Sequence, residues 1–329
     1  MRAMVIREAV AGGELAMVDR PTPTPGPGQV LVQVVACGVC RTDLHELDGD
    51  LPGLVLPRTP GHQVVGQVVD RGPGVTSPAV GDRVGVAWLG SACGQCPACR
   101  SGHENLCPHA TFTGFTVDGG YAEYVLANAD FVYPLPADWP EEELAPLLCA
   151  GVIGYRALCL ASAEPGGRLG LFGFGASAHL TAQLAVAQGL EVHAFSRSEA
   201  HRRLARELGA AWAGAADDPA AAPLDAAVLF APVAALVPQA LARLRPGGTL
   251  VVNAIHTDEP ITFPFARLYG ERTLRSVTNA TRADGREFLR LAAVHGLRPR
   301  VETYPLAAAG RALDRVRRAE LQGAAVLTV

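Results

Sequence analysis

The sequence predicts an α/β protein in two parts, a β-rich first portion followed by a parallel, doubly wound sheet. Three observations carry this. Short β-like runs broken by turns fill the first third, strands alternate with helices from about Ala150 onward, and a Gly-x-Gly-x-x-Ala run joins a strand to a helix in that second part. Strand–helix alternation implies parallel strands joined by crossover helices. A chain of 329 residues exceeds one typical domain and suggests about two, with ample apolar residues to bury cores.

In order, the first strand-like runs are Val30–Ala36, Val64–Val69, Arg83–Trp88 and Tyr121–Leu126. The Pro-rich stretch Pro21 to Gly28 is a surface connector before them. The second part reads as strand Arg168–Gly173, helix Ala176–Gln188, strand Glu191–Phe195 and helix Glu199–Leu208. Strand Asp225–Phe230, helix Ala234–Leu244, and strands Thr249–Asn253 and Thr273–Val277 continue it. A helical segment, Ala283–His295, precedes mixed structure to Val329, and only Ala215–Pro223 is low in complexity.

Composition excludes several functions. No run of about 18 apolar residues is available to span a bilayer. The net charge of −4 is mild and the cations are scattered, so no basic stripe marks a nucleic-acid partner. All 28 cationic residues are arginine, which rules out Schiff-base or general-base lysine chemistry. Met1–Val10 lacks the apolar core of a leader, and unpaired thiols suit a reducing, cytoplasmic setting.

Cys93, Cys96, Cys99 and Cys107 fall in one loop-like stretch that has no packing use for four thiols. Thiolates at this spacing converge on one tetrahedral Zn(II) at roughly 2.3 Å each, and a closed shell makes that metal structural. Other readings of the cluster are a disulfide framework, an iron–sulfur cluster, reactive or buried thiols, or substitution by His103 or His109 as a ligand. The bacterial ferredoxin run has three residues before its last cysteine, whereas seven separate Cys99 from Cys107.

Gly173-Phe174-Gly175-Ala176-Ser177-Ala178 follows a strand and opens a helix. Glycines there permit a tight turn and close backbone approach, while the helix N-terminus offers free N–H groups to a pyrophosphate. The motif alone also describes an ordinary Gly-rich turn; the βαβ pattern downstream favours dinucleotide binding. At the next strand's end, where NAD sites usually place a carboxylate, the run is Phe195-Ser196-Arg197-Ser198. Loss of that charge, with Arg197 able to pair with a 2′-phosphate, favours NADP(H); an Arg197 that merely faces solvent would leave NAD equally acceptable.

Cys40, His62 and Cys149 come from separated segments, Gly38–His45, Gly61-His62-Gln63 and Leu148–Gly151. Three protein ligands leave a fourth zinc position open, although a lone Cys or His is more often structural. With the four-cysteine cluster and the phosphate turn, these motifs in this order resemble the zinc-dependent medium-chain alcohol dehydrogenases over nearly the whole chain.

The resemblance implies a GroES-like β-rich catalytic domain, 1–149 with 283–329, carrying a structural-zinc lobe at 90–110, and a Rossmann domain at 150–282. It implies two zinc ions per chain, Cys40, His62 and Cys149 on the catalytic one and the four-cysteine set on the other, with NADP or NAD as cofactor. Asp43 would fix the orientation of His62. Thr42 and His45 would carry the alcohol proton, with a homodimer or homotetramer as the assembly. The implied reaction interconverts alcohols, primary ones first, with aldehydes or ketones by hydride transfer. A polyol or amino-alcohol dehydrogenase of the same superfamily and a non-catalytic zinc- and nucleotide-binding protein are the competing readings.

Two departures stand out. Gln63 occupies the place of the family's usual Glu, and Gln322-Gly323-Ala324-Ala325 lacks the Gly-Arg that reaches the cofactor phosphates, a contact for which Arg282 is the candidate replacement. Trp88 either lines the substrate cleft or packs in the core. Cys37 and Cys159 are left to packing.

Overall fold

A computed structural model describes residues 1–329, and the chain divides into two compact units. One comprises Met1–Cys149, Asn279–Arg286 and Arg300–Val329; the other comprises Ala150–Thr278 and Glu287–Pro299. The sequence reading sets one return at 283. The units instead divide helix Arg282–His295, whose first turn belongs with the first unit.

The first unit is built on a seven-stranded sheet. Its order is Val301–Pro305, Ala324–Thr328, Gln29–Val39, Val64–Arg71, Arg83–Val86 and Val132–Pro134, with Tyr124–Asn128 also paired to Gln29–Val39. The long strand Gln29–Val39 is the hub: it buries Val30, Val32, Val34 and Cys37 against Val64, Val68, Val84 and Val125. Alternation is confined to Val32–Ala36, where Gln33 and Val35 are exposed, and Val30–Val32 and Ala36–Val39 are buried throughout. At its end the chain turns into helix Arg41–Asp48, whose N-cap is Cys40: the Sγ accepts from Thr42 N–H at 3.2 Å, and Cys40 N–H donates to the Asp43 carboxylate at 2.8 Å. The cap thus fixes two candidate site residues through backbone geometry. That helix was not expected from its mixed, charge-rich sequence.

The second unit is a six-stranded, wholly parallel sheet in the order Trp212–Gly214, Glu191–Phe195, Arg168–Phe172, Leu224–Leu229, Leu244–Val252, Thr273–Ser276. This is the doubly wound arrangement, and its order reverses beside Arg168–Phe172. The interior strands are almost continuously buried, as parallel strands covered on both faces must be. Strand boundaries match the sequence reading within a few residues, except that Leu244–Val252 begins earlier. Helix Ala150–Ala161 and strand Trp212–Gly214 were not anticipated. Cys37 is fully buried, but Cys159 lies on the exposed face of helix Ala150–Ala161 and does not pack as expected. No single helix is long and apolar enough to cross a membrane.

Candidate metal centres and cofactor turn

The first unit brings Cys40, His62 and Cys149 together, their ligand atoms all within 4.8 Å of one another. His62 Nε2 lies 3.4 Å from Cys40 Sγ and 3.3 Å from Cys149 Sγ. Tetrahedral zinc with normal bond lengths separates sulfur from nitrogen by roughly 3.6 Å, so the set fits the ion. The contact between the two thiols pulls the Cys40 pKa well down and pushes that of Cys149 well up. Burial opposes a charged His62, yet the Cys40 thiolate and Asp43 raise its pKa well above the ordinary value. A divalent cation would displace these protons and leave two thiolates and a neutral imidazole.

Asp43 stands behind His62, its Oδ1 3.3 Å from His62 Nδ1, and both side chains are buried. Oδ2 accepts from Cys40 N–H at 2.8 Å and from the Tyr121 hydroxyl at 3.1 Å. Burial raises the Asp43 pKa, partly offset by His62. This is the carboxylate–histidine pairing that selects which ring nitrogen faces a metal. Thr42 and His45 lie on the same short helix, and His45 Nδ1 is 2.7 Å from Asp50 Oδ2.

The four lobe cysteines also converge, each contributing an Sγ within 4.8 Å of the others, with 4.0 Å between Cys93 and Cys99. A tetrahedral Zn–S₄ core requires roughly 3.8 Å. Backbone N–H groups of Cys93, Cys96, Cys99 and His109 each point at a cysteine sulfur at 3.4 Å. Hydrogen bonds from the Gln95 and Cys96 backbone bring Cys93 down to about 6, while burial and the Cys96 thiol push Cys99 up to about 12. A central cation would let all four ionise together. His109 contributes only its backbone N–H here, and His103 bonds to Ser101 instead.

In the second unit, Gly173 follows strand Arg168–Phe172 with φ +88°, and a Cβ there would sit 2.9 Å from Ala231 N, so only glycine fits. Gly175 caps helix Ala176–Ala187 without a side-chain hydrogen bond, which leaves the first N–H groups of Ala176 and Ser177 available to an anion. The turn lies at the carboxyl end of the strand where the sheet order reverses, the position at which such folds take their ligands. Ser196 ends the neighbouring strand; its Oγ accepts from Ser198 N–H, and Arg197 beside it is exposed.

Residues 26–137 match the alcohol dehydrogenase GroES-like domain, and residues 176–293 match the zinc-binding dehydrogenase domain. The chain is 50% identical over 323 residues to a probable alcohol dehydrogenase, AdhA, of Mycobacterium tuberculosis, covering 96% of this chain and 93% of that one. It is 42% identical over 337 residues to an alcohol dehydrogenase of Geobacillus stearothermophilus, covering 99% and 98%. The chain belongs to the zinc-dependent medium-chain alcohol dehydrogenases. Among solved structures, a cobalt- and zinc-bound thermostable alcohol dehydrogenase from Pyrobaculum aerophilum aligns with a TM-score of 0.93 at 29% identity, over 100% of this chain and 99% of that one.

Zinc and a nicotinamide cofactor fit this family, and the donor sets of the dehydrogenase suit them. The Arg282 guanidinium pairs with Glu104, with Nη2 2.6 Å from Oε2, and stacks over Phe131. Gln63 is buried over Gly38, and its Nε2 has no hydrogen-bond partner. Trp88 is half-buried, its ring edge-on to His62 at 4.9 Å and stacked on Phe112 and Phe115, so it faces the metal set rather than the deep core.

Two residues escaped the sequence reading. Tyr121 supplies the hydroxyl on Asp43, and in the Gly119-Gly120 pair before it a Cβ at Gly119 would collide with the Gly61 carbonyl and one at Gly120 with Val64 Cγ2, the signal of a close approach. Glu46, wholly buried, has its carboxylate within 4.8 Å of Asp43 and His62. Nothing local distinguishes it from a solvent-facing helix glutamate.

Proposed function

We propose that this dehydrogenase oxidises primary alcohols and reduces the corresponding aldehydes, with NADP(H) preferred over NAD(H) and two zinc ions per chain. The observation that carries the reading is the convergence of Cys40, His62 and Cys149, backed by Asp43, in one compact unit. Cys93, Cys96, Cys99 and Cys107 hold the second, structural zinc. When bound at the three-ligand set, zinc supplies a Lewis acid for the substrate oxygen, and the nicotinamide supplies a hydride donor or acceptor.

The protein's own groups do the remainder. Asp43 Oδ1, 3.3 Å from His62 Nδ1, attracts a proton on that nitrogen and so favours Nε2 as the one presented to the metal. The proton lost by the alcohol passes through the Thr42 hydroxyl to His45. The close contact between His45 Nδ1 and Asp50 sets that ring so that Nε2 is the exchanging nitrogen. Backbone N–H groups after Gly175 hold the pyrophosphate, with Gly173 giving it room. Ser196 and Arg197 support the NADP(H) preference: no carboxylate repels a 2′-phosphate there, and an exposed guanidinium lies beside it. A cytoplasmic homodimer or homotetramer completes the reading.

The test is the initial rate of aldehyde reduction over a chain-length panel with NADPH and NADH in parallel, before and after chelation. Zinc-dependent turnover preferring NADPH supports the alcohol–aldehyde chemistry, the catalytic metal set and the cofactor preference together. Equal NADH use removes the Ser196–Arg197 argument alone, and absence of turnover with either cofactor removes the alcohol–aldehyde reading.

A further inference from the structure

Trp88 does not stand alone beside His62. Its indole Nε1–H donates to Asn279 Oδ1 at 2.8 Å, and Asn279 Nδ2 donates in turn to the Asn105 carbonyl at 3.0 Å. Asn105 lies two residues before Cys107, so the chain of bonds runs from the four-cysteine lobe to the indole and then, by ring contact, to His62. All these residues belong to the same compact unit. Asn279 adopts φ +51°, a left-handed conformation for which asparagine is among the few tolerant side-chain-bearing residues. Backbone and side chain are therefore both specified at this position. A large ring stacked on two phenylalanines can slide, whereas one whose Nε1–H is also bonded has a fixed rotation about its long axis.

We propose that Asn279 is a positioning residue that locks the Trp88 indole as a wall of the reaction pocket and ties that wall to the four-cysteine lobe. The proposal rests on the alcohol dehydrogenase reading for its kinetic consequence, but not for its structural one. The wall's position sets how much room a substituent on the reacting carbon has next to His62, so Asn279 governs discrimination between small and bulky alcohols without touching them.

Asn279→Gly keeps the left-handed backbone and removes both bonds. Asn279→Asp keeps an acceptor for Trp88 and loses the donor to Asn105. With zinc-loaded enzyme carrying 5-fluorotryptophan, the fluorine resonance of Trp88, assigned through Trp88→Phe, is expected to shift and broaden in Asn279→Gly and to stay close to wild type in Asn279→Asp. The ratio of kcat/KM for benzyl alcohol to that for ethanol is expected to change about tenfold in Asn279→Gly, a pocket effect of ordinary size. It is expected to be unaffected by Asn279→Gly when Trp88 is already phenylalanine. An unmoved Trp88 resonance with an unchanged ratio in Asn279→Gly would overturn the proposal. If the wild type turned over no alcohol, the function reading would fall, and the resonance alone would decide the link.

Discussion

Replacing Asp43 by asparagine alters one atom, yet the structure makes it costly at a distance from that atom. The carboxylate serves three donors: Oδ2 accepts from Cys40 N–H and the Tyr121 hydroxyl, and Oδ1 faces His62 Nδ1. An amide has one acceptor oxygen. If that oxygen faces His62, the NH₂ meets Cys40 N–H; if it faces Cys40, the NH₂ meets His62 Nδ1 and favours the tautomer with its proton on the metal side. Either way at least one charge-assisted contact is lost inside the protein, the Cys40 hydrogen bond or the His62 ion pair, worth roughly 2 kcal/mol. Because the lost bond orients a candidate ligand, we expect zinc at the three-ligand set to bind about 30-fold more weakly, within the range usual for partners of metal ligands. Competition with a chelator, followed by metal analysis, measures this, and the four-cysteine lobe, which Asp43 does not touch, serves as the internal reference. An Asp43→Asn protein that held its zinc as tightly as wild type would refute the reasoning.

Further outcomes follow from the same geometry. Arg282 lowers the Glu104 pKa, so this pair stabilises the fold above the ordinary glutamate range and loses its effect as the pH falls through the folded value. Glu104→Gln should therefore cost about 1 kcal/mol in denaturant melts at pH 7 and approach zero difference in strong acid; an equal loss at both would contradict the pairing. A Cβ at Gly61, φ +97°, would lie 2.3 Å from Tyr121 Cδ1 and 2.9 Å from Cys37 Sγ. Gly61→Ala should thus destabilise by roughly 3 kcal/mol in urea unfolding, from overpacking plus backbone strain. Gln63→Glu should lower the melting temperature by burying an unpaired charge while leaving the single-turnover hydride rate unchanged; a sharply faster rate would mean that the carboxylate is missed in this chain.

What the sequence made legible was whatever repeats a local rule. Cys93 to Cys107 announces itself by spacing, and the strand–turn–helix around Gly173 by period and glycine. Strand Glu191–Phe195 was read to the residue because it is bounded by Gly189 on one side and by Ser196-Arg197-Ser198 on the other. Helix Arg41–Asp48 was not, since its cap is a cysteine and its stability comes from Leu44 and Leu47 packing into the core rather than from propensity. The pairing of Arg282 was not legible because its partner, Glu104, lies 178 residues away in the chain, beyond any local pattern. Tyr121, 78 residues from Asp43, and Asn279, 191 from Trp88, are likewise contacts of topology, not of sequence neighbourhood.

The two thiol-bearing sets differ in how far apart their members are along the chain, and this sets the order in which synthesis completes them. Cys93 and Cys107 are 14 residues apart, whereas Cys40 to His62 spans 22 and His62 to Cys149 spans 87. Closing an 87-residue loop costs about 1.6 kcal/mol more than closing one of 14. A ribosome reading from the first residue completes the lobe's thiols while Cys149 is still unmade. Synthesis therefore completes the four-thiol lobe well before the set around His62, whose third member is residue 149.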